Sequence, residues 1–211
     1  PIRQKLDNLE NAGSMYGSII YHKAPIMMRQ LEAALGKEDF MVGLQTYLKS
    51  FAHKNADWND LIKILNSKTT LDVEKWSHIW VNSSGRPVIS GKVTYSDNNK
   101  IASFEIRQKA EDGTDKIWPQ TFDISLVYSD STSTISVDLK DSKTMLYEMV
   151  GYPKPLFVQY NSNGLGYGVF PIDQNELIYN SLIKTDIAKA QSYLNCYENT
   201  LSGMIPPLRA I

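Results

Sequence analysis

The spacing of the apolar residues changes twice along this chain of 211 residues. Up to about residue 85 they recur every three or four positions, which is typical of amphipathic helices. From there to about residue 171 they alternate with polar residues, which is typical of strands with one buried face. The helical spacing then returns. The sequence therefore predicts a multidomain α and β protein in three parts, residues 1–85, 86–171 and 172–211.

Four helices are predicted in residues 1–85. Gly36 follows the first apolar stripe, and glycine commonly ends helices. Asp57 and Asp72 precede the third and fourth stripes, and aspartate is a preferred N-cap residue. The residues predicted to face the core are Ala24, Met27, Met28, Leu31 and Leu35, then Phe40, Leu44, Tyr47, Leu48 and Phe51, then Trp58, Leu61, Ile62 and Leu65, and finally Val73, Trp76, Ile79 and Trp80.

About seven short strands are predicted in residues 86–171, because clusters of turn-forming residues separate the alternating runs. Short strands that follow one another without helices favour an antiparallel β-sandwich. The side chains predicted to face inward are Ala102, Phe104 and Ile106, then Phe122, Ile124, Leu126 and Tyr128, then Ile135, Val137 and Leu139.

The spacing of apolar residues in 172–211 predicts the first helices of a truncated α-helical domain. These 40 residues offer apolar faces but too little partner surface to cover them. Uncovered apolar faces recruit partners, so we expect self-association through residues 1–50 or 174–211. The predicted apolar stripes are Leu177, Ile178, Leu182 and Ile183, then Ile187, Ala190, Tyr193, Leu194 and Leu201.

The composition excludes several classes of partner. With 22 basic and 23 acidic residues the chain has a formal net charge of −1, which gives no electrostatic reason to bind nucleic acid or an anionic membrane surface. No apolar run approaches the roughly 20 residues of a membrane span. No targeting segment stands in the chain, and the compartment of the parent protein, exported or cytoplasmic, stays open. The single cysteine, Cys196, is interpreted as a packing residue.

The segment YGSIIYHKAPIMMRQLE, residues 16–32, places Tyr21 and Lys23 at the start of an amphipathic helix. It resembles the segment that carries the transition-state tyrosine in zinc aminopeptidases of the aminopeptidase N family, which are gluzincins. Three later segments resemble the same family in the same order. They are WSHIW with SGRP at residues 76–80 and 84–87, NSNGLGYGVF at residues 161–170, and DIAKAQ at residues 186–191.

This resemblance implies the fold and the cofactor. The chain would hold the helical C-terminal part of a metallopeptidase catalytic domain, then a β-sandwich, then the start of an α-helical domain. Family members bind zinc through H-E-x-x-H and a later glutamate, and the sequence has no such motif. We therefore expect a C-terminal fragment that binds no metal, cut from a parent that contains zinc and hydrolyses N-terminal residues from peptides. The fragment alone is expected to be inactive.

The resemblance also assigns roles to residues. It implies that zinc polarises the scissile carbonyl and activates water, while a tyrosine hydroxyl donates a hydrogen bond to the oxyanion of the tetrahedral intermediate. That role falls on Tyr21, whose phenol is a hydrogen-bond donor at neutral pH. Tyr16, His22 and Lys23 are candidates for lining the substrate cleft. Read from the residues alone, Tyr16 is a packing residue, His22 a surface or satisfied histidine, and Lys23 a solvated lysine.

Two other hypotheses stay open at this stage. The chain could be a non-catalytic β-sandwich that binds or scaffolds other proteins, or part of an inactive relative that has lost its metal site. A relative with zinc could also hydrolyse a non-peptide substrate such as an epoxide.

His22, His53 and His78 are scattered, without the spacing of a zinc site. Gly164, with the residues up to 168, lacks the spacing of a phosphate loop and favours a turn.

Overall fold

The computed structural model describes residues 1–15, 17 and 19–206. The chain divides into two compact units, Pro1–Gly85 and Arg86–Ile211. The first unit is helical, and the second combines two antiparallel sheets with helices. The expectation of a protein that mixes α and β structure is therefore confirmed. The three-domain division remains a prediction.

Four α-helices form most of the first unit. A 3₁₀ segment at Leu9–Met15 and a π-helical turn at Ile19–Lys23 precede them, and a second π-helical turn at His78–Asn82 follows. Asp57 and Asp60 form a reciprocal capping box at the start of the third helix, and Asp72 accepts a hydrogen bond from the Lys75 backbone N–H. Both predicted caps are confirmed. The helices are α1 (Ala24–Leu35), α2 (Lys37–Ser50), α3 (Trp58–Asn66) and α4 (Val73–Ser77).

The apolar stripes of these helices supply most of the buried residues of the first unit. The predicted inward residue Leu48 is an exception, because 67% of its surface is exposed. Gly43 on the opposite side of α2 is buried instead, and a Cβ there would lie 2.4 Å from Leu65 Cδ2, so α2 approaches α3 through its glycine. The fully packed residues of this core are Met27, Leu31, Leu35, Leu61, Ile62, Leu65, Val73, Trp76, Trp80 and Val81.

The second unit contains two three-stranded sheets, with strand orders β1-β2-β5 and β4-β3-β6. Every neighbouring pair of strands is antiparallel. The structure thus has six strands in its described residues rather than the predicted seven. They are β1 (Pro87–Tyr95), β2 (Ile101–Ala110), β3 (Gln120–Val127), β4 (Thr132–Leu139), β5 (Lys143–Met145) and β6 (Phe157–Tyr160).

An irregularity in β2 reverses one predicted orientation. Thr94 pairs with Ser103, but the next residue, Tyr95, pairs with Ile101, so Ala102 is an extra residue in the ladder. Because side chains alternate along a strand, the extra residue changes which face each earlier residue occupies. Ile101 is therefore buried and Ala102 exposed, and the prediction that Ala102 faces inward was wrong.

Side chains of both sheets join a single hydrophobic core. Phe104 packs edge-on against Tyr160 with 6.3 Å between ring centroids, and Phe122 packs edge-on against Phe170 at 4.9 Å. Such edge-to-face pairs add to the stabilisation from burial. The remaining members of the core include Ile89, Ile106, Ile124, Leu126, Val137, Leu139 and Leu146.

Two helices of the second unit follow the strands, α5 (Gln174–Ile178) and α6 (Asp186–Leu201), with a 3₁₀ turn at Asn180–Leu182 between them. The two predicted apolar stripes differ in outcome. In the first, Ile183 is buried and Leu182 packs against the same small cluster, whereas the second stripe, on α6, is exposed. In α5 the buried residue is Glu176, whereas Ile178 is 71% exposed. The buried face of α6 is mostly polar, and of its predicted stripe Ile187, Ala190, Tyr193, Leu194 and Leu201 are exposed.

Among the described residues, the helices are all too short or too polar to cross a membrane.

Candidate active site

The Ile19–Lys23 turn holds the predicted catalytic tyrosine. The backbone N–H groups of Ile20 and Tyr21 both donate to the Gly17 carbonyl oxygen, at 3.0 and 3.1 Å. The turn runs directly into α1, whose first turn contains Pro25. Proline fits there because the first N–H groups of a helix have no partner within the helix. Isolated π-helical turns are rare and occur frequently at functional sites.

The turn presents its consecutive side chains to different surroundings. Tyr21 is 63% exposed, and His22 is exposed beside it. Lys23 is only 7% exposed, so its side chain is packed into the first unit. The other candidate, Tyr16, lies outside the described residues. The structure therefore leaves most of the Tyr21 residue exposed to solvent, while Lys23 is packed inside the unit.

A separate pocket of about 280 Å³ opens in the first unit. Two of its polar side chains already make structural bonds, because Asp57 caps α3 and the Trp58 indole N–H donates to Ser77 Oγ at 2.8 Å. The predicted site residues do not line it. The pocket is lined by Ile2, Arg3, Met27, Asp57, Trp58, Asn59 and Val81.

Potential metal ligands are dispersed in the part of the chain that the structure describes. No group of three or more His, Cys, Asp or Glu side chains there is arranged to hold a metal ion. His22, His53 and His78 are each exposed. The residues present therefore do not fit a zinc centre. What the Tyr21 turn can offer a ligand is hydrogen bonds.

The Gly-rich segment after β6 is a structural loop. The Asn161 side chain closes it, since its Oδ1 accepts from the Gly166 N–H at 2.7 Å and its Nδ2 donates to the Gly166 carbonyl at 3.2 Å. A Cβ at Gly166 would lie 2.5 Å from the Phe170 ring, so the core leaves no room for a larger residue. The segment resembling the family's motif thus serves packing and loop closure.

Arg86 lies in the SGRP segment that resembles the family. Its ion pairs connect the end of β2 to α6. Its guanidinium contacts Glu111 at 3.0 Å and Glu198 at 2.7 Å. The hydrogen bond to Glu111 and the further contact with Glu198 raise the pKa of Arg86 above its usual range. Arg86 is thereby a structural residue of the second unit.

Sequence analysis missed one ionisable group, Glu176, which is completely buried in α5. Burial raises the pKa of this carboxyl to about 7. Its signal in the sequence is weak, because a glutamate that follows Gln174 and Asn175 in the first turn of a helix is ordinarily read as part of its outer face.

Comparison with known proteins points to one family. Residues 1–83 match the Peptidase family M1 domain. Aminopeptidase N of Streptomyces lividans is 25% identical over 189 residues, which cover 84% of this chain and 22% of that protein. Leucyl aminopeptidase of Saccharolobus solfataricus is 26% identical over 181 residues, 86% of this chain and 22% of that protein.

A third similar protein is the mitochondrial aminopeptidase 2 of Saccharomyces cerevisiae, 28% identical over 152 residues, which cover 65% of this chain and 16% of that protein. The chain spans about a fifth of the length of these relatives.

Proposed function

Because residues 1–83 match the Peptidase family M1 domain, we propose that the whole protein is a zinc-dependent aminopeptidase that removes N-terminal residues from peptides. Three similar proteins from a bacterium, an archaeon and a yeast are named aminopeptidases, which supports this activity. The observation that carries the proposal within the structure is the exposure of Tyr21, on a turn inside the matched residues.

Tyr21 is proposed to donate a hydrogen bond to the oxyanion that forms when water attacks the scissile carbonyl. A donor contributes most when it is fixed before the charge develops, because no reorganisation is then needed. The two hydrogen bonds to the Gly17 carbonyl and the burial of Lys23 hold the Tyr21 backbone in that way. One such donor is typically worth about 3 to 4 kcal/mol of the barrier.

The neighbours of Tyr21 are proposed to shape the substrate cleft. His22 is exposed and can contact a bound peptide, whereas Lys23 positions the turn from within. Tyr16 is kept as a cleft candidate on sequence grounds alone.

The finer architecture is also a proposal. Residues 1–85 would be the helical end of the catalytic domain, and the two sheets, which share one core, would be a β-sandwich. Residues 172–211 would begin a helical domain. The exposed apolar side of α6 supports this last point, since a further layer of helices would cover it.

Zinc is a general property of the M1 aminopeptidases, but the described residues of this chain do not fit a zinc site. We propose that the ligands lie elsewhere in the whole protein. The isolated chain would then bind no catalytic metal and cleave no peptide.

The activity is tested with the full-length protein on alanyl- and leucyl-anilides, beside the same substrates with an acetylated amine. An aminopeptidase releases aniline only from the free-amine substrates, and the 211-residue chain alone releases none. If the full-length protein contains zinc yet cleaves neither kind, the peptidase proposal fails. Absence of both zinc and activity would favour an inactive relative that binds other proteins.

We further propose that the isolated chain self-associates through α6. Ile187, Leu194, Tyr197 and Leu201 are 50–65% exposed and recur at spacings of three, four and seven along one side of the helix. Such a stripe is self-complementary when two copies pair. Light scattering of the chain should show a mass that rises with concentration, and Leu194→Lys should return it to the monomer. Asn98→Lys, in an exposed turn, should change nothing. A monomer at every concentration would refute the proposal.

A further inference from the structure

Helix α5 is unusual because it turns a carboxyl group to the core. Glu176 is fully buried and is the residue through which this five-residue helix is packed. Of the apolar side chains that follow it, Leu177 is half-buried, Ile178 is 71% exposed and Tyr179 is 40% exposed. A short helix normally docks through apolar residues. The one fully buried side chain of α5 is therefore an ionisable group.

The surroundings of Glu176 favour its neutral form. The carboxyl oxygens make no hydrogen bond of normal geometry with the described residues, and the nearby Ser192 hydroxyl of α6 and Asp173 backbone favour the charged form less than burial opposes it. The Gln159 amide of β6 also faces Glu176, but it donates to the Ala188 carbonyl at 2.8 Å. These dipoles only partly offset the cost of removing a charge from water.

Charged and titratable groups facing Glu176 add to this preference. Asp173, which caps α5, places a negative charge near the carboxyl, and Tyr160 of β6 is the titratable neighbour on the sheet. Ser192 of α6 and Gln159 of β6 carry no charge. A negative Glu176 would thus stand in a buried site that supplies no compensating cation from these elements.

The flanks of α5 are anchored independently of Glu176. At the start, the Asn175 side chain donates to the Leu156 carbonyl at 3.0 Å. At the far end, Ile183 is buried in a small cluster with Val127, Phe157 and Ala188. Opening of residues 174–183 would break these two contacts and leave the strands beneath them paired.

We propose that residues 174–183 form a pH-dependent latch, which lies closed on β6 while Glu176 is neutral and opens when Glu176 ionises. This inference is independent of the proposed peptidase activity, because it concerns only the second unit.

The direction of the pH effect follows from linkage. Glu176 has a pKa of about 7 in the closed latch and near its ordinary 4.5 when exposed. Below the ordinary value both forms are protonated, and the latch is most stable. As pH rises between the two values, the open form loses its proton first, so opening becomes roughly tenfold more favourable per pH unit. The total change is on the order of 100-fold and is complete above neutral pH.

Hydrogen exchange of the full-length protein, read by mass spectrometry between pH 5 and pH 8.5, tests the latch. After correction for intrinsic exchange rates, protection of residues 174–183 should fall on the order of 100-fold across this range. The β3 peptide serves as the internal reference and should keep its protection. Protection of residues 174–183 that stays constant with pH would overturn the proposal.

Two variants identify the group responsible. Glu176→Gln removes the ionisation and keeps the side-chain shape, so residues 174–183 should remain protected at every pH. Glu148→Gln, at an exposed glutamate of the same unit, should reproduce the wild-type pH dependence. A wild-type pH dependence in Glu176→Gln would show that another group drives the opening. If that variant fails to fold, Glu176→Leu replaces it, and the wild-type comparison with β3 decides the proposal on its own.

Discussion

Helices α1 and α6 have similar amphipathic spacing, but α1 buries its apolar face and α6 buries its polar face. In α1 the apolar residues Met27, Leu31 and Leu35 are at most 7% exposed. In α6 the apolar residues Ile187 and Leu194 are at least 50% exposed, while the polar face is buried. Periodicity therefore predicts that a helix is amphipathic, but the partner surface decides which face turns inward.

The partner surface of α6 explains its orientation. Strand β6 lies at the edge of its sheet, so part of its backbone lacks a neighbouring strand. The Asn195 amide donates to the Tyr160 carbonyl at 3.0 Å, and the Asn199 amide donates to the Phe170 carbonyl at 2.7 Å. The polar face of α6 thus satisfies backbone groups that would otherwise be buried without hydrogen bonds.

The largest difference in the free energy of unfolding is expected between alanine substitutions of one leucine on each helix. Leu31→Ala leaves a cavity in the fully packed core of the first unit and should lower the free energy of unfolding by about 2 to 5 kcal/mol. Leu194→Ala removes an exposed side chain of α6 and should change it by about 0.5 kcal/mol or less. Urea denaturation of the chain at a concentration where it is monomeric measures both. Equal losses in the two variants would contradict the comparison.

A smaller effect is expected from the polar face of α6. Asn195→Ala removes the side-chain donor to the Tyr160 carbonyl. It also removes the acceptor of the Gln191 amide, which donates to Asn195 Oδ1 at 2.7 Å. Buried polar groups left unpaired cost about 1 to 3 kcal/mol, so the free energy of unfolding should fall by that amount. Asn98→Ala, in an exposed turn, is the matched control and should be neutral. A neutral Asn195→Ala would mean that the polar face does not hold α6 in place.

The elements that local chemistry specifies could be predicted from the sequence. Asp57 and Asp72 cap their helices, and Gly36 ends α1 with φ at +83°, a conformation that glycine adopts without strain. Features that depend on distant partners could not. The extra residue at Ala102 has no turn signal of its own, and the burial of Glu176 follows from where α5 meets β6.

The candidate site divides in the same way. The helical spacing after Lys23 predicts α1, but nothing in that spacing distinguishes a catalytic tyrosine from an ordinary one. The role of Tyr21 rests on the resemblance of residues 16–32 to the family. Its exposure on a π-helical turn, and the burial of Lys23 two residues later, emerge only from the three-dimensional structure.

The most direct test of the account is turnover of an alanyl-anilide by the full-length protein and its Tyr21→Phe variant, with zinc content measured for each. Phenylalanine keeps the ring and removes the hydroxyl, so kcat should fall roughly 100- to 1000-fold with zinc retained. Tyr47→Phe, at a half-buried tyrosine of α2, controls for loss of any phenol in this unit and should retain normal kcat. A Tyr21→Phe enzyme with near-normal kcat would contradict the assignment of Tyr21 as the oxyanion donor.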